Sequence, residues 1–583
     1  MKKIYIALVL ALPLAGIHPT VNAQQEGGGY NESVVVKGSY TPVIELQEKL
    51  NFPTTLADTQ SRTDRHFQYS ISPTRMKALY EPTRIRAARI VGEPTTRLYN
   101  NYLRLGMGNY WSPLADLYWN STRDRKKTYG VRLNHRSSWD KLAKLPEYGP
   151  LQMNRTGITL FGKYIVGDVL QLSTDLSYEH DHNLYYGFTD STLQAKLNRT
   201  RDDINLDDYR ASYNIATWNI GIRNMELDPN RLGYAANVHL SDLWALWGQN
   251  EINLNLSGDV HYGFNLLDTY KGVAYLHMEW DGYTHSLLPT ERPLGYLAGP
   301  STDTVRGFRN IVKVNPYADF MFSGLQFHAG FTAGWDAFTT DTATTFRFFP
   351  DVVVSKSFLH DNLVLSLGAT GGFDANSWNT LRQVNPYIAP GSEQRATRHY
   401  DFAGHIRWSF SKKLEANIEA SYQMLRDDLT FRLDTLNYAL QNVYRPHYFA
   451  NNRFSVGGTV TFVNDEMLTL RAGGHYYAYT LGDDSVLYYR PKWDALLAAN
   501  VNYHNKWFFH LEGQLLGSMT ADFGETLPMR YGIAAEVEYR HNRALSFFLR
   551  GDNLAFQRYW LWSNYPSQRG LILVGLTYTI PHK

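Results

Sequence analysis

Between residues 412 and 424 the chain reads KKLEANIEASYQM, and its side chains alternate with a period of two. Leu414, Ala416, Ile418, Ala420 and Tyr422 fall on one face of an extended strand, and Glu415, Asn417, Glu419, Ser421 and Gln423 on the other, because successive side chains of a strand point to opposite sides. One face suits hydrocarbon and the other suits water. A single stretch of this kind fits a soluble antiparallel sheet equally well. The pattern returns, however, at 169–179, 251–262, 402–410, 507–515 and 531–540. In the last of these Ile533, Ala535, Val537 and Tyr539 oppose Glu536, Glu538 and Arg540. So many charges on the second face require it to be wet. Repeated strands of about ten residues, apolar outward and polar inward, are what an outer-membrane barrel needs.

The N-terminus supplies a route to that membrane. Lys2 and Lys3 precede an apolar run from residue 4 to 17, and Val21-Asn22-Ala23 offers compact residues for cleavage, so residues 1–23 are predicted to be a signal peptide with Gln24 as the first mature residue. There is no cysteine, which rules out disulfides, thiolate metal sites, cysteine nucleophiles and a lipidated cysteine anchor. No later apolar run reaches the roughly 18 residues of a spanning helix. Aromatics make up 14% of the chain, with 41 tyrosines, as expected of the girdles where a barrel meets headgroups. A net charge of +2 gives no basic field for nucleic acid.

Connections alternate as well. Short polar turns are read at 124–126, 167–168, 411–412, 464–465, 505–506 and 541–543, and longer stretches at 181–207, 373–395 and 425–451. Short periplasmic turns and long external loops are the asymmetry of such barrels. The expected fold is therefore all-β: a transmembrane antiparallel barrel of about 22 strands (16 to 22) over residues 97–583, an even number as single-chain bacterial barrels require. The stretch 272–279 breaks that parity and is placed in an external loop running to about Arg306. Residues 570–580, with Ile572, Val574, Leu576, Tyr578 and Ile580 on one face, read as the closing strand. Trp408, Trp493 and Trp507 lie beside turns as interfacial anchors. Residues 24–96, with Pro42, Pro53, Pro73, Pro82 and Pro94 among several arginines, read as an irregular strap, because proline at this density interrupts helices and central strands. A lumen of this width is normally plugged. The strap, the long loops or a partner must fill it.

Two segments resemble a known family. ESVVVKG at 32–38 is similar to the stretch that precedes the plug of TonB-dependent receptors, and DNLAFQRYWLWSNY at 552–565, followed by Arg569-Gly570 and VGLTYTI, is similar to the last two strands of those receptors. The whole resembles the receptor-like barrels of Bacteroidota, with a truncated plug. The resemblance implies a receptor or transporter in the outer membrane of a Gram-negative bacterium, surrounded by outer-membrane lipid. It also implies a TonB-type energy-transducing protein, or an envelope complex, as partner, with Val34, Val35 and Val36 as the grip.

Candidate chemistry is sparse. The alternation assigns Glu415, Glu419, Arg407, Glu536, Glu538 and Arg540 to the lumen. His180 and His182, two apart on a strand, lie on one side and are spaced to share a metal, or simply form a solvated strand end. An acidic knot at 202–208 is either a hard-cation site or a polar loop. No Gly-x-Ser-x-Gly elbow or His-Glu-x-x-His pair occurs, so no enzyme and no cofactor is expected. A non-transporting structural subunit of an assembly or secretion complex, and a passive porin, are the alternatives to a receptor.

Overall fold

The computed structural model describes residues 101–579, apart from 122–123, 125, 143–144, 226–229, 267–269, 288–293, 298–304, 339–343 and 483–485. The expected signal peptide, the strap and Val34, Val35 and Val36 lie outside the described residues.

From Asn101–Gly108 to Leu571–Tyr578 the chain folds back and forth into one 22-stranded sheet. First and last strands pair antiparallel, with Leu103 opposite Tyr578, Gly106 opposite Gly575 and Gly108 opposite Leu573. The sheet is thereby closed into a barrel. Glycine is a steric requirement at this seam. A Cβ on Gly575 would overlap both the Leu105 carbonyl oxygen and the Phe548 ring, so the ring occupies the space that a side chain would take.

Turns at one end are tight. Ser323 and Gly324 alone join Phe322 to Leu325, both with positive φ (52° and 74°), the backbone that matches strand twist in a two-residue hairpin. The turns expected at 167–168, 411–412, 464–465, 505–506 and 541–543 fall at the same end. Most connections at the other end are longer, and this asymmetry makes it the external end.

The outer face carries the apolar belt. Ile418, Leu511 and Val574 are 49%, 46% and 61% exposed, a disposition that only a lipid environment makes favourable. Trp408 and Trp507 project from this face beside short turns. Trp493 lies instead at the external end, where it opens the strand Trp493–Tyr503.

Two further readings are corrected. Residues 272–279 belong to the wall, inside the strand Tyr270–Leu287, which pairs with Gln249–Leu266 and Val305–Phe322. Its neighbours continue the hydrogen-bond ladder through the stretch, and this outweighs the parity argument. Much of 425–451 is strand rather than loop, because Leu414–Leu433 and Tyr444–Asn464 run for 20 and 21 residues. About 9–11 residues cross a membrane, so their ladders rise well beyond the hydrocarbon.

Side-chain face should decide the effect of a charge. Ile418→Lys places an ammonium in the belt and is expected to lower barrel stability by about 2–4 kcal/mol, while the adjacent Asn417→Lys changes it little. Urea unfolding followed by the heat-dependent gel shift measures both. Equal losses would mean that the faces are misassigned.

Candidate functional site

A 22-strand wall leaves a hole that its own inward side chains do not span. Here the external connections meet over it. Tyr185, Tyr186, Trp378, Tyr387, Tyr438, Tyr489 and Tyr565 belong to one buried cluster, together with aliphatic neighbours such as Leu184, Leu381 and Val443. Three of these rings define its centre. Tyr387 and Tyr565 stack at 3.6 Å and 13°, and Tyr186 stands edge-on to both, 6.1 Å and 5.1 Å away. Their connections follow the fifth, thirteenth and twenty-first strands of the 22. They therefore leave the wall about a third of its circumference apart, and the rings meet above the barrel axis.

The hydroxyls lock the meeting point. Tyr185 Oη donates to the Ile388 carbonyl oxygen at 2.7 Å, and Tyr186 Oη to that of Pro566 at 2.9 Å. Tyr565 Oη donates to the Asn442 carbonyl oxygen, while Asn442 Nδ2 donates to that of Tyr185 at 2.9 Å. A second knot forms where Tyr489 Oη bonds Asp522 Oδ2 and Ser563 Oγ, both at 2.8 Å, and Tyr444 Oη donates to the Ser563 carbonyl oxygen at 2.8 Å. Burial pushes the phenols of Tyr185, Tyr186, Tyr387 and Tyr565 above their ordinary value, because an ionised phenolate would be desolvated there. They stay neutral donors.

Charged groups pin the connection 375–396 to the wall from several sides. Its helix Trp378–Val384 carries Arg382, which is 4% exposed. Arg382 Nη1 donates to Asp181 Oδ2 at 2.9 Å, an oxygen that also receives Arg155 Nη2 at 3.0 Å. The buried Glu251 carboxylate accepts the Trp378 and Asn379 backbone N–H groups at 2.5 Å and 3.2 Å. Arg309, bidentate on Asp336, donates through Nη1 to the Gln394 carbonyl oxygen at 2.7 Å. Each partner satisfies a buried charge that would otherwise be costly.

Glu419 lies 3.1 Å from His475 and 3.7 Å from His405, and Glu415 accepts from Asn417 Nδ2 at 2.9 Å. Glu536 pairs with Arg104 at 2.7 Å, and Arg104 lies over the Phe548 ring. Glu538 and Arg540 continue the same face, with Arg540 over Phe508, and Arg407 faces Val364 and Asn417 across its strand. These residues are spread along the wall and do not gather into one site. His180 Nδ1 bonds Asn214 Oδ1 at 3.0 Å, with the His182 ring 5.9 Å away. Among the described residues no group of three or more His, Asp or Glu is placed to hold a metal. In the acidic knot, Asp203 and Asp208 bond the backbone N–H groups of Thr200 and Asn205, and Asp207 pairs with Arg210. Reading by alternation missed the tyrosine cluster altogether. The only local signals were Tyr185-Tyr186 and the WLWSNY run at 560–565.

No family model matches this chain, and no curated protein does. Solved structures match its fold. The ferric-catecholate import receptor Fiu of E. coli K12, in its closed form, aligns with a TM-score of 0.62 at 11% identity, over 83% of this chain and 82% of that one. The siderophore receptor PirA of Acinetobacter baumannii gives 0.61 at 9% identity, over 84% and 81%. The ferric enterobactin receptor PfeA of Pseudomonas aeruginosa, as a mutant with enterobactin, gives 0.60 at 12%, over 82% and 81%. The likeness is one of fold.

The absence of cysteine permits a single reporter thiol. Ser563→Cys, at a position 3% exposed, should resist maleimide labelling in the otherwise native chain. Adding Tyr387→Ala should speed labelling roughly tenfold or more, since loss of a buried ring costs about 3–5 kcal/mol. Unchanged labelling would mean that the rings do not hold the connections together.

Alkali should act on the same cluster. Phenols in the opened state ionise near 10.0, and the folded values lie higher. The folded state thus holds more protons between those limits, so its stability is full below pH 10 and falls as pH rises through the folded values. Faster labelling of the Ser563→Cys reporter above pH 10, coincident with delayed tyrosinate absorbance, is the expected result.

Proposed function

We propose that the protein is a receptor- or transporter-like barrel of the outer membrane of a Gram-negative bacterium, with the roofed external mouth as its gate. The observation that carries this reading is the meeting of Tyr186, Tyr387 and Tyr565 above the axis. A passive porin works through an open mouth. A roof built from connections rooted on separate strands suits a passage that opens on demand. The likeness of fold to import receptors for ferric siderophores supports the same reading. In it, residues 24–96 form a plug-like strap, Val34, Val35 and Val36 are the grip for a TonB-type partner, and Glu415, Glu419, Glu536, Glu538, Arg407 and Arg540 line the passage.

A second reading follows from how the roof is bonded. The buried hydroxyls of Tyr185, Tyr186 and Tyr489 and the guanidinium of Arg382 are tied to partners in it, as a permanently closed structural subunit of an envelope complex would require.

Two measurements separate these readings. Purified full-length protein in a planar bilayer should carry no steady current, and removal of residues 376–394 should raise conductance sharply. A steady current from the intact chain would instead favour a porin. Deletion of residues 32–38 should abolish energised uptake and leave the closed barrel intact. No defect in growth, uptake or envelope integrity would remove the transport reading and leave the structural one.

A further inference from the structure

The wall is not continuous to its external rim. Strands Thr345–Phe358 and Leu363–Asp374 pair from Phe358 opposite Leu363 to Val352 opposite Ala369, and there the ladder stops. Beyond it, residues 345–351 pair only with Leu325–Phe338, and residues 370–374 only with Thr397–Ser411. The two edges lap over one another. Phe349 alternates with the outward Phe348 and Phe346, yet its ring packs 5.1 Å from both Phe373 and Tyr400. Those two residues share their alternation with the outward Leu367 and Phe402. The inner side of one edge therefore covers the outer side of the other. Phe349, 1% exposed, is the wedge, and Tyr400 Oη donates across the split to the Phe348 carbonyl oxygen at 3.2 Å.

At this lap lies a cleft of about 250 Å³ lined by Arg347, Phe349, Arg398, Tyr400 and Arg426. Its charge is unbalanced. Arg398 and Arg426 sit directly opposite one another on adjacent strands, an arrangement that like charges disfavour. Asp427 takes Arg398 at 3.1 Å but is shared with Arg395 at 3.6 Å. Arg347 and Arg426 donate to the backbone carbonyl oxygens of Phe346 and Leu425. On the outer face, Phe348 at the level of the cleft and Phe402 and Leu367 further towards the membrane are 60%, 44% and 71% exposed.

From this juxtaposition we propose that the cleft binds the phosphorylated headgroup of a lipid in the external leaflet, with the acyl chains along Phe348, Leu367 and Phe402. Guanidinium groups recognise phosphate through paired, charge-assisted hydrogen bonds, and basic clefts at membrane level select anionic headgroups. A bound phosphate relieves the repulsion between Arg398 and Arg426, and its oxygens accept from Arg347 on the facing edge. The lipid thereby bridges the two edges where backbone hydrogen bonds no longer do. The site is on the outer wall and does not depend on what, if anything, passes through the lumen.

The test uses the full chain in a neutral detergent and three probes: a dodecyl-chain lysophosphatidic acid, dodecanol and inorganic phosphate. Binding is read from tryptophan fluorescence and by native mass spectrometry. The lysophosphatidic acid should bind, and Arg347→Gln/Arg398→Gln/Arg426→Gln should weaken it roughly tenfold or more, the scale of losing charge-assisted bonds. The single exposed change Arg426→Gln should weaken it to a smaller extent, which covers the case of a triple variant that fails the gel-shift test for folding. Dodecanol should show neither tight binding nor sensitivity to the arginines. Inorganic phosphate that binds as tightly as the lipid would make this a soluble-anion site and overturn the lipid assignment. Lysophosphatidic acid binding that is unchanged by either variant would overturn the site itself.

Discussion

The whole structure depends on the pairing of Asn101–Gly108 with Leu571–Tyr578. In hydrocarbon a backbone N–H or carbonyl group has no water to fall back on, and each one left unpaired costs several kcal/mol. A sheet crossing the membrane must therefore close on itself. Antiparallel closure imposes the even strand number, and the strict alternation of side chains follows because every strand then has one face in lipid and one in the lumen. It also explains the crowding at Gly575, where two backbones and the Phe548 ring converge.

Closure on this scale creates its own difficulty, a lumen too wide for the wall to fill. The described residues meet it with a roof. Its cohesion is that of an ordinary hydrophobic core, with stacked and edge-on aromatic rings whose hydroxyls are bonded to backbone carbonyls. The connection 375–396 is held in addition by Asp181, Glu251 and Arg309, which come from the fifth, eighth and tenth strands of the wall. The chain thus has an apolar core where a soluble protein would have a loop surface. The roof and the wall also answer to different solvents. The roof is stabilised by exclusion of water, while the belt is stabilised by the presence of lipid.

The lapped edges near Phe349 mark where the hydrogen-bonding rule relaxes. At the external rim the two edges no longer need each other, because side chains and water satisfy what the ladder leaves free. Aromatic packing takes over from backbone pairing at that height. The arginine cleft is a product of this exchange, for it places the inner side of one strand beside the outer side of another.

Much of the wall could be read directly. The opposition of Ile418 to Glu419, or of Val537 to Glu538, is a local property of two neighbouring residues, and it fixes face, period and environment together. Turns such as 167–168 and 464–465 are equally local, since Gly167, Asp168 and Asp465, residues that accept left-handed backbone, stand at the positions themselves. What failed was non-local. Residues 272–279 join the wall only because both neighbouring strands continue past them, and the strands through 425–451 extend because each supports the other above the membrane. Nothing near Tyr186, Tyr387 or Tyr565 in sequence says that the three will meet. The sequence alone determined which side of each strand faces lipid, because that depends on a repeat of two residues. Only the tertiary structure decided how the mouth is covered and where the wall opens, because those depend on contacts between residues some two hundred apart or on opposite edges of the sheet.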